Sequence, residues 1–236
     1  IRVLIGTEGY TGYYHEQAEF AGDGPLIVTA PSGETRYEEG EVIMVTEEMV
    51  EDGRIRITSE SEDGKITITS LRRASGSPAY RGAIEVAAGE EGLLIINELA
   101  LEEYLYAVIP SEMPVSYDLE ALKVQAVCAR SYAYNQLMAN RFAQYGAHVD
   151  DSVACQVYNN TPESERSILA VKDTYGRVIL SEDSVITAYY FSTSCGTTAQ
   201  TEDVWAAGTS ESYLTGRVQY PGEAGTDAGE KQEKEE

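Results

Sequence analysis

Glu112 stands between Pro110 and Pro114, beside Met113, at the seam of two helical stretches. A carboxyl group held there by apolar neighbours has its charged form disfavoured and so suits a general acid at a glycosidic oxygen. The plain alternative is a solvated or capping glutamate, and spacing alone does not choose between them. Lys123 and Arg130 lie seven apart in one helical stretch, which puts both on one face, roughly 10 Å apart along the axis. Two neighbouring cations in an acidic chain suit the holding of carboxylates or sugar oxygens by charge-assisted hydrogen bonds. Their plain alternative is a pair of surface salt bridges.

Cys155 and Cys195 fall in loop-like segments, and Cys128 falls inside a helix as a core thiol. A disulfide between the first two is possible but not deducible from spacing. His148, Asp150, Cys155 and Cys195 also make a mixed N, O and S ligand set, although six residues between His and Cys is no zinc signature. His15 has no partner pattern. Ser192 and Ser194 lack the G-x-S-x-G elbow of a nucleophile and read as a hydrogen-bonding loop. The sequence has no Walker loop, dinucleotide fingerprint or H-E-x-x-H motif.

The elements that must position these residues change character along the chain. Apolar runs and alternation predict strands at 1–5, 26–28, 42–45, 54–58, 65–69, 80–86 and 92–97, with turns at Asp52-Gly53 and Asp63-Gly64. From Leu99 the spacing becomes helical. A short helix is expected over 99–109, stopped by Pro110, then a long one over 117–140 capped by Ser116. Residues 146–160 read as loop with a strand at 156–158, 164–174 as helix, and 177–180 and 186–191 as strands. The expectation is an α+β fold, an antiparallel β-rich part over 1–90 and a mixed core with a central long helix over 91–215. An acidic tail or linker is expected over 216–236.

Composition narrows the function. The 236 residues are 42% apolar, enough for a core, and no apolar run approaches a membrane span. Forty acids against 17 bases give a net charge of −23. Such a field repels nucleic acid, which is therefore not an expected partner, and suits solubility outside a cell or a neutral substrate. The chain opens at Ile1, and a secretion signal or anchor is expected outside it.

Three ordered blocks resemble the SpoIID/LytB family. The first runs from Leu101-Glu102-Glu103-Tyr104-Leu105 through Val108-Ile109-Pro110-Ser111-Glu112-Met113-Pro114 to the helix at Leu119–Ala133. The second is Cys155-Gln156-Val157-Tyr158, and the third Phe191–Gly196 with Glu202-Asp203-Val204-Trp205. The resemblance, over about 78–206, implies a peptidoglycan lytic transglycosylase. Such an enzyme cleaves between N-acetylmuramic acid and N-acetylglucosamine and leaves a 1,6-anhydro end. It implies Glu112 as acid and then base, with Lys123, Arg130, Gln156, Tyr158, Ser192, Ser194 and Asp203 on the substrate. It favours a Cys155–Cys195 disulfide and no cofactor, with zinc at His148, Cys155 and Cys195 as the lesser alternative. Expected partners are glycan strands and other cell-wall hydrolases, in an extracytoplasmic setting. The competing expectation is a non-catalytic wall-binding or amidase-enhancing module.

Overall fold

The computed structural model describes residues 1–204 and 212–218. Residues Ile1–Tyr189 form one unit and Tyr190–Glu236 a second. Trp205 and the tail from 219 onward lie outside the described residues.

In the first unit the strands are β1 (Arg2–Leu4), β2 (Ala18–Gly22), β3 (Leu26–Ala30), β4 (Gly33–Tyr37), β5 (Ile43–Val45), β6 (Ile55–Ser59), β7 (Ile66–Ile68), β8 (Ala79–Tyr80), β9 (Ala83–Ala88) and β10 (Leu93–Glu98). Then come α1 (Leu101–Glu112), α2 (Leu119–Ala139), β11 (Val149–Asp150), α3 (Glu165–Asp173), β12 (Leu180–Ser181) and β13 (Ser184–Val185). The fold is α+β, as expected. A seven-stranded sheet runs β11-β1-β10-β9-β6-β3-β4, a four-stranded sheet runs β5-β2-β7-β8, and β12 and β13 form a hairpin. β11 joins β1 in parallel, so the β-rich stretch and the helical stretch share one sheet.

β10 explains the centre of this sheet. Its sequence Leu-Leu-Ile-Ile-Asn-Glu is buried from Leu93 to Asn97, as a strand covered on both faces must be. Burying each large aliphatic side chain contributes about 1.5–3 kcal/mol. Gly82, between β8 and β9, has φ +72°, and a Cβ there would come within 2.3 Å of the Glu98 carbonyl oxygen. Only glycine fits that turn.

One polar network ties the sheet's surface. Glu85 on β9 accepts from Arg2, Arg54 and Arg56, and Glu98 on β10 from Arg56 and Arg2. The Arg2 hydrogen bond, first among several causes, holds the Glu85 carboxyl below its ordinary value of 4.5. A carboxyl lowered on folding contributes stability above the unfolded value, and that contribution is lost as pH falls through the folded one. Thermal midpoints should therefore fall on acidification below about 4.5, and Glu85→Gln should flatten that limb. An acid limb of parental slope in Glu85→Gln would contradict this.

The helices differ from expectation at their ends. α1 runs through Pro110 to Glu112 instead of stopping at the proline. Proline cannot donate to the carbonyl four residues back, and here Ser167 Oγ lies 3.0 Å from the Tyr106 oxygen left over. α2 is capped by Asp118, not Ser116, since the Asp118 carboxylate accepts the Glu120 N–H at 2.9 Å. The strand expected at 156–158 is a loop. Of the strand expected at 177–180 only Leu180 is extended, and 186–191 forms no strand; the ladder lies between them, as the β12–β13 hairpin turned by Glu182 and Asp183 at φ 53° and 70°.

Candidate active site

Glu112 is the last residue of α1, and its Oε1 accepts the backbone N–H of Val157 at 2.6 Å. The first and second motif blocks therefore meet through the glutamate itself. Its neighbour Ser111 grips the same loop three and four residues later. Ser111 Oγ accepts the N–H groups of Asn160 and Thr161, both at 3.1 Å, and donates to the Ala107 carbonyl at 2.7 Å.

The loop is also anchored from beneath. Tyr158 is 1% exposed, and its hydroxyl donates to Asn97 Oδ1 at 2.7 Å. Asn97 in turn donates to the carbonyls of Arg81 and Ala83. The Tyr158 ring lies 4.8 Å from that of Tyr104 and 5.7 Å from that of Tyr80. Asn159 sits at φ 55°, a left-handed conformation that asparagine tolerates, and its side chain donates to the Ala79 carbonyl at 2.6 Å.

These facts correct several expected substrate contacts. Tyr158 and Gln156 are core residues: Gln156 is 1% exposed, donates to the Ala129 carbonyl and accepts from the Tyr104 hydroxyl. A side chain with no surface cannot touch a polymer. Arg130 is likewise buried. Its guanidinium meets Glu102 on α1 in two bonds of 2.7 Å and reaches the carbonyls of Val171 and Arg177. Lys123 pairs with Glu120 and with Asp173 on α3. The shared face of α2 is thus turned to α1 and α3, and both cations are engaged in ion pairs.

Ser192, Ser194, Cys195 and Asp203 belong to the second unit. There Ser194 Oγ accepts the Gly196 N–H at 3.0 Å, and exposed Asp203 lies in a one-turn helix, α4 (Thr201–Val204). Cys155 lies in the first unit and Cys195 in the second, and Cys128, Cys155 and Cys195 are each free thiols. Cys155 packs against a core cluster of Leu4, Leu94, Ile96, Phe142 and Ala147, and burial pushes its thiol up to about 12. Hydrogen bonds with Thr197 lower the Cys195 thiol. His148 Nδ1 accepts the Arg2 N–H, and His15 lies buried against the Ile5 carbonyl. Among the described residues no three His, Cys, Asp or Glu side chains gather as a metal site.

A buried pair behind the loop has no signature in the sequence. Asp151 meets Arg73 at 2.6 Å and accepts the Gly6 N–H at 2.8 Å, and burial pushes its carboxyl up to about 6 against both. The Asp151 carbonyl accepts the Tyr158 N–H. Ser111 and Glu102 bear no signature of their own either, although both stand within the motif blocks.

Residues 89–180 match the family model described as stage II sporulation protein, SpoIID. They form a SpoIID domain. Similar proteins include stage II sporulation protein D of Bacillus amyloliquefaciens, 33% identical over 162 residues, 62% of this chain and 47% of that protein. The protein of the same name from Bacillus subtilis (strain 168) is 30% identical over 167 residues, 62% of this chain and 49% of that protein. The amidase enhancer of Bacillus subtilis (strain 168) is 39% identical over 103 residues, 44% of this chain and 14% of that protein. The chain spans about half the length of the two stage II sporulation relatives. Glu112, Ser111, Glu102, Arg130 and the loop at 156–161 all lie inside the SpoIID domain, while Ser192, Ser194, Cys195 and Asp203 lie beyond it.

Proposed function

We propose that this chain cleaves peptidoglycan glycan strands as a lytic transglycosylase, with Glu112 as acid and then base. The SpoIID domain ties the chain to sporulation and the cell wall; the reaction is our reading. The observation that carries it is Glu112 at the end of α1 with Oε1 fixed on the Val157 N–H. A carboxyl held by a backbone donor cannot swing through its rotamers, and such preorganisation lowers the entropic part of the barrier.

The chemistry needs one carboxyl group. Glu112 gives its proton to the glycosidic oxygen as the bond from the muramyl C1 to that oxygen breaks. The C6 hydroxyl of the same sugar attacks C1 and passes its proton to the Glu112 carboxylate. The ring closes as a 1,6-anhydro end, the acid is regenerated, and no water enters. No second carboxylate is then needed to position a nucleophilic water, in contrast to an inverting hydrolase. The polymer substrate places the site outside the cytoplasm. No helix among the described residues is long and apolar enough to cross a membrane.

A second reading, a non-catalytic module that assists a wall hydrolase, draws on the likeness to the amidase enhancer. Digestion of purified glycan strands, bare and peptide-bearing, followed by mass analysis separates the two. Anhydro ends, lighter by one water than hydrolytic ends, support cleavage. Retention on the strands with no new ends supports the module.

A further inference from the structure

A serine hydroxyl offers one donor and two acceptor sites. At Ser111 all three are filled at once, by the Ala107 carbonyl at 2.7 Å and by the N–H groups of Asn160 and Thr161 at 3.1 Å. The donated bond runs back one turn within α1, which fixes the side-chain rotamer. The two accepted bonds come from consecutive peptides of the loop that also carries Val157. Because Ser111 and Glu112 are adjacent at the end of one helix, the same turn of backbone holds the carboxyl and the segment that orients it.

The span between the two grips is short and stiff. Between Val157 and Asn160 stand Tyr158, locked on Asn97, and Asn159, in its left-handed conformation and bonded to the Ala79 carbonyl. A second chain contact, from Asn160 Oδ1 to the Ala74 N–H, fixes the far side. With Ser111 removed, the N–H groups of residues 160 and 161 lose their shared acceptor, and the loop keeps on α1 the longer bond from the Asn159 N–H to the Ala107 carbonyl, 3.4 Å. The Val157 N–H, three residues away, is the group whose placement then loosens.

We infer that Ser111 is a positioning residue of the glycan-cleaving site, holding the 156–161 loop so that the Val157 N–H meets the Glu112 carboxyl group. The inference rests on the glycan-cleavage reading and adds a residue that acts through the loop, touching no substrate. Threonine can make the same three bonds. Alanine can make none of them, and cysteine keeps the volume with a far weaker acceptor.

The test compares Ser111→Ala, Ser111→Thr and the parent chain on the same glycan strands, with kcat and KM read separately. Amide hydrogen exchange at Val157, Asn160 and Thr161 is followed alongside; Ser111→Cys serves if the alanine variant does not fold. In Ser111→Ala, kcat should drop roughly ten- to a hundredfold, the loss that misplacement of a reacting group by about 1 Å brings. KM should stay near the parent's, and all three amides should exchange faster. Ser111→Thr should restore both readouts. A folded Ser111→Ala with parental kcat, or with parental protection at Val157, overturns the inference and leaves the glycan reading intact. A parent chain that yields no anhydro ends overturns the glycan reading, and Ser111's part in it with it.

Discussion

Glu112→Gln is expected to lower the release of anhydro ends by roughly 10²–10⁴-fold, the usual contribution of a positioned general acid and base. The amide keeps the length and shape of the carboxyl group. Its carbonyl oxygen can still accept the Val157 N–H, so the loop should stay docked and the thermal midpoint close to the parent's. What it lacks is a transferable proton and a basic oxygen to take one back. Binding of glycan strands should therefore survive while turnover collapses. This separates a chemical role from a structural one, because a glutamate that only fastened the loop would be replaced by glutamine with little loss. Parental turnover in a folded Glu112→Gln chain would remove Glu112 from the chemistry and move attention to another acid, Asp203 among them.

The parts of this fold written in side-chain periodicity were legible. β6, β7, β9 and β10 carry alternating or continuous apolar runs, and α2 carries small and apolar residues at steps of three and four. β4 was missed because Gly-Glu-Thr-Arg-Tyr is an exposed edge strand with no buried face to write a pattern. β2 was missed because only Ala18 and Phe20 of its five residues are buried. Gln156-Val157-Tyr158 mimics a strand, but the Val157 N–H goes to a side chain and the Tyr158 N–H to the Asp151 carbonyl, so no ladder forms. Pro110 misled for a similar reason: the partner that relieves its missing N–H, Ser167, is far away in sequence.

The site divided along the same line. The motif blocks named Glu112, and the structure places it against the second block. Motif membership could not tell a residue exposed to a substrate from one buried in the core. Gln156, Tyr158 and Arg130 were read as the first kind and prove to be of the second. Their partners Ala129, Asn97 and Glu102 sit on separate elements, so neither spacing nor composition could reveal the burial.

Glu102→Gln should test the structural reading of Arg130 most severely. Arg130 is 1% exposed, and its charge is compensated by Glu102, 18% exposed at the side chain, through two parallel bonds of 2.7 Å. The pair fastens α2 to α1, and the remaining guanidinium protons fasten α2 to the carbonyls of Val171 on α3 and of Arg177. Removing the carboxylate leaves a buried cation without its counter-charge, a change that costs about 3–5 kcal/mol. That is a large share of the roughly 5–15 kcal/mol that holds a typical domain folded. Glu102→Gln should therefore unfold at markedly lower denaturant. Arg130→Lys should lose part of the same stability, because an ammonium cannot span both carboxylate oxygens and the two carbonyls. Replacing the pair together by apolar residues of similar volume should recover much of the loss, since no charge is then left buried. Activity supplies the deciding contrast. If Arg130 served the substrate directly, the doubly apolar chain would stay folded and lose turnover as Glu112→Gln does. If it is the bolt between α1, α2 and α3, turnover per folded molecule should return along with stability, because the end of α1 that carries Ser111 and Glu112 is held in place again.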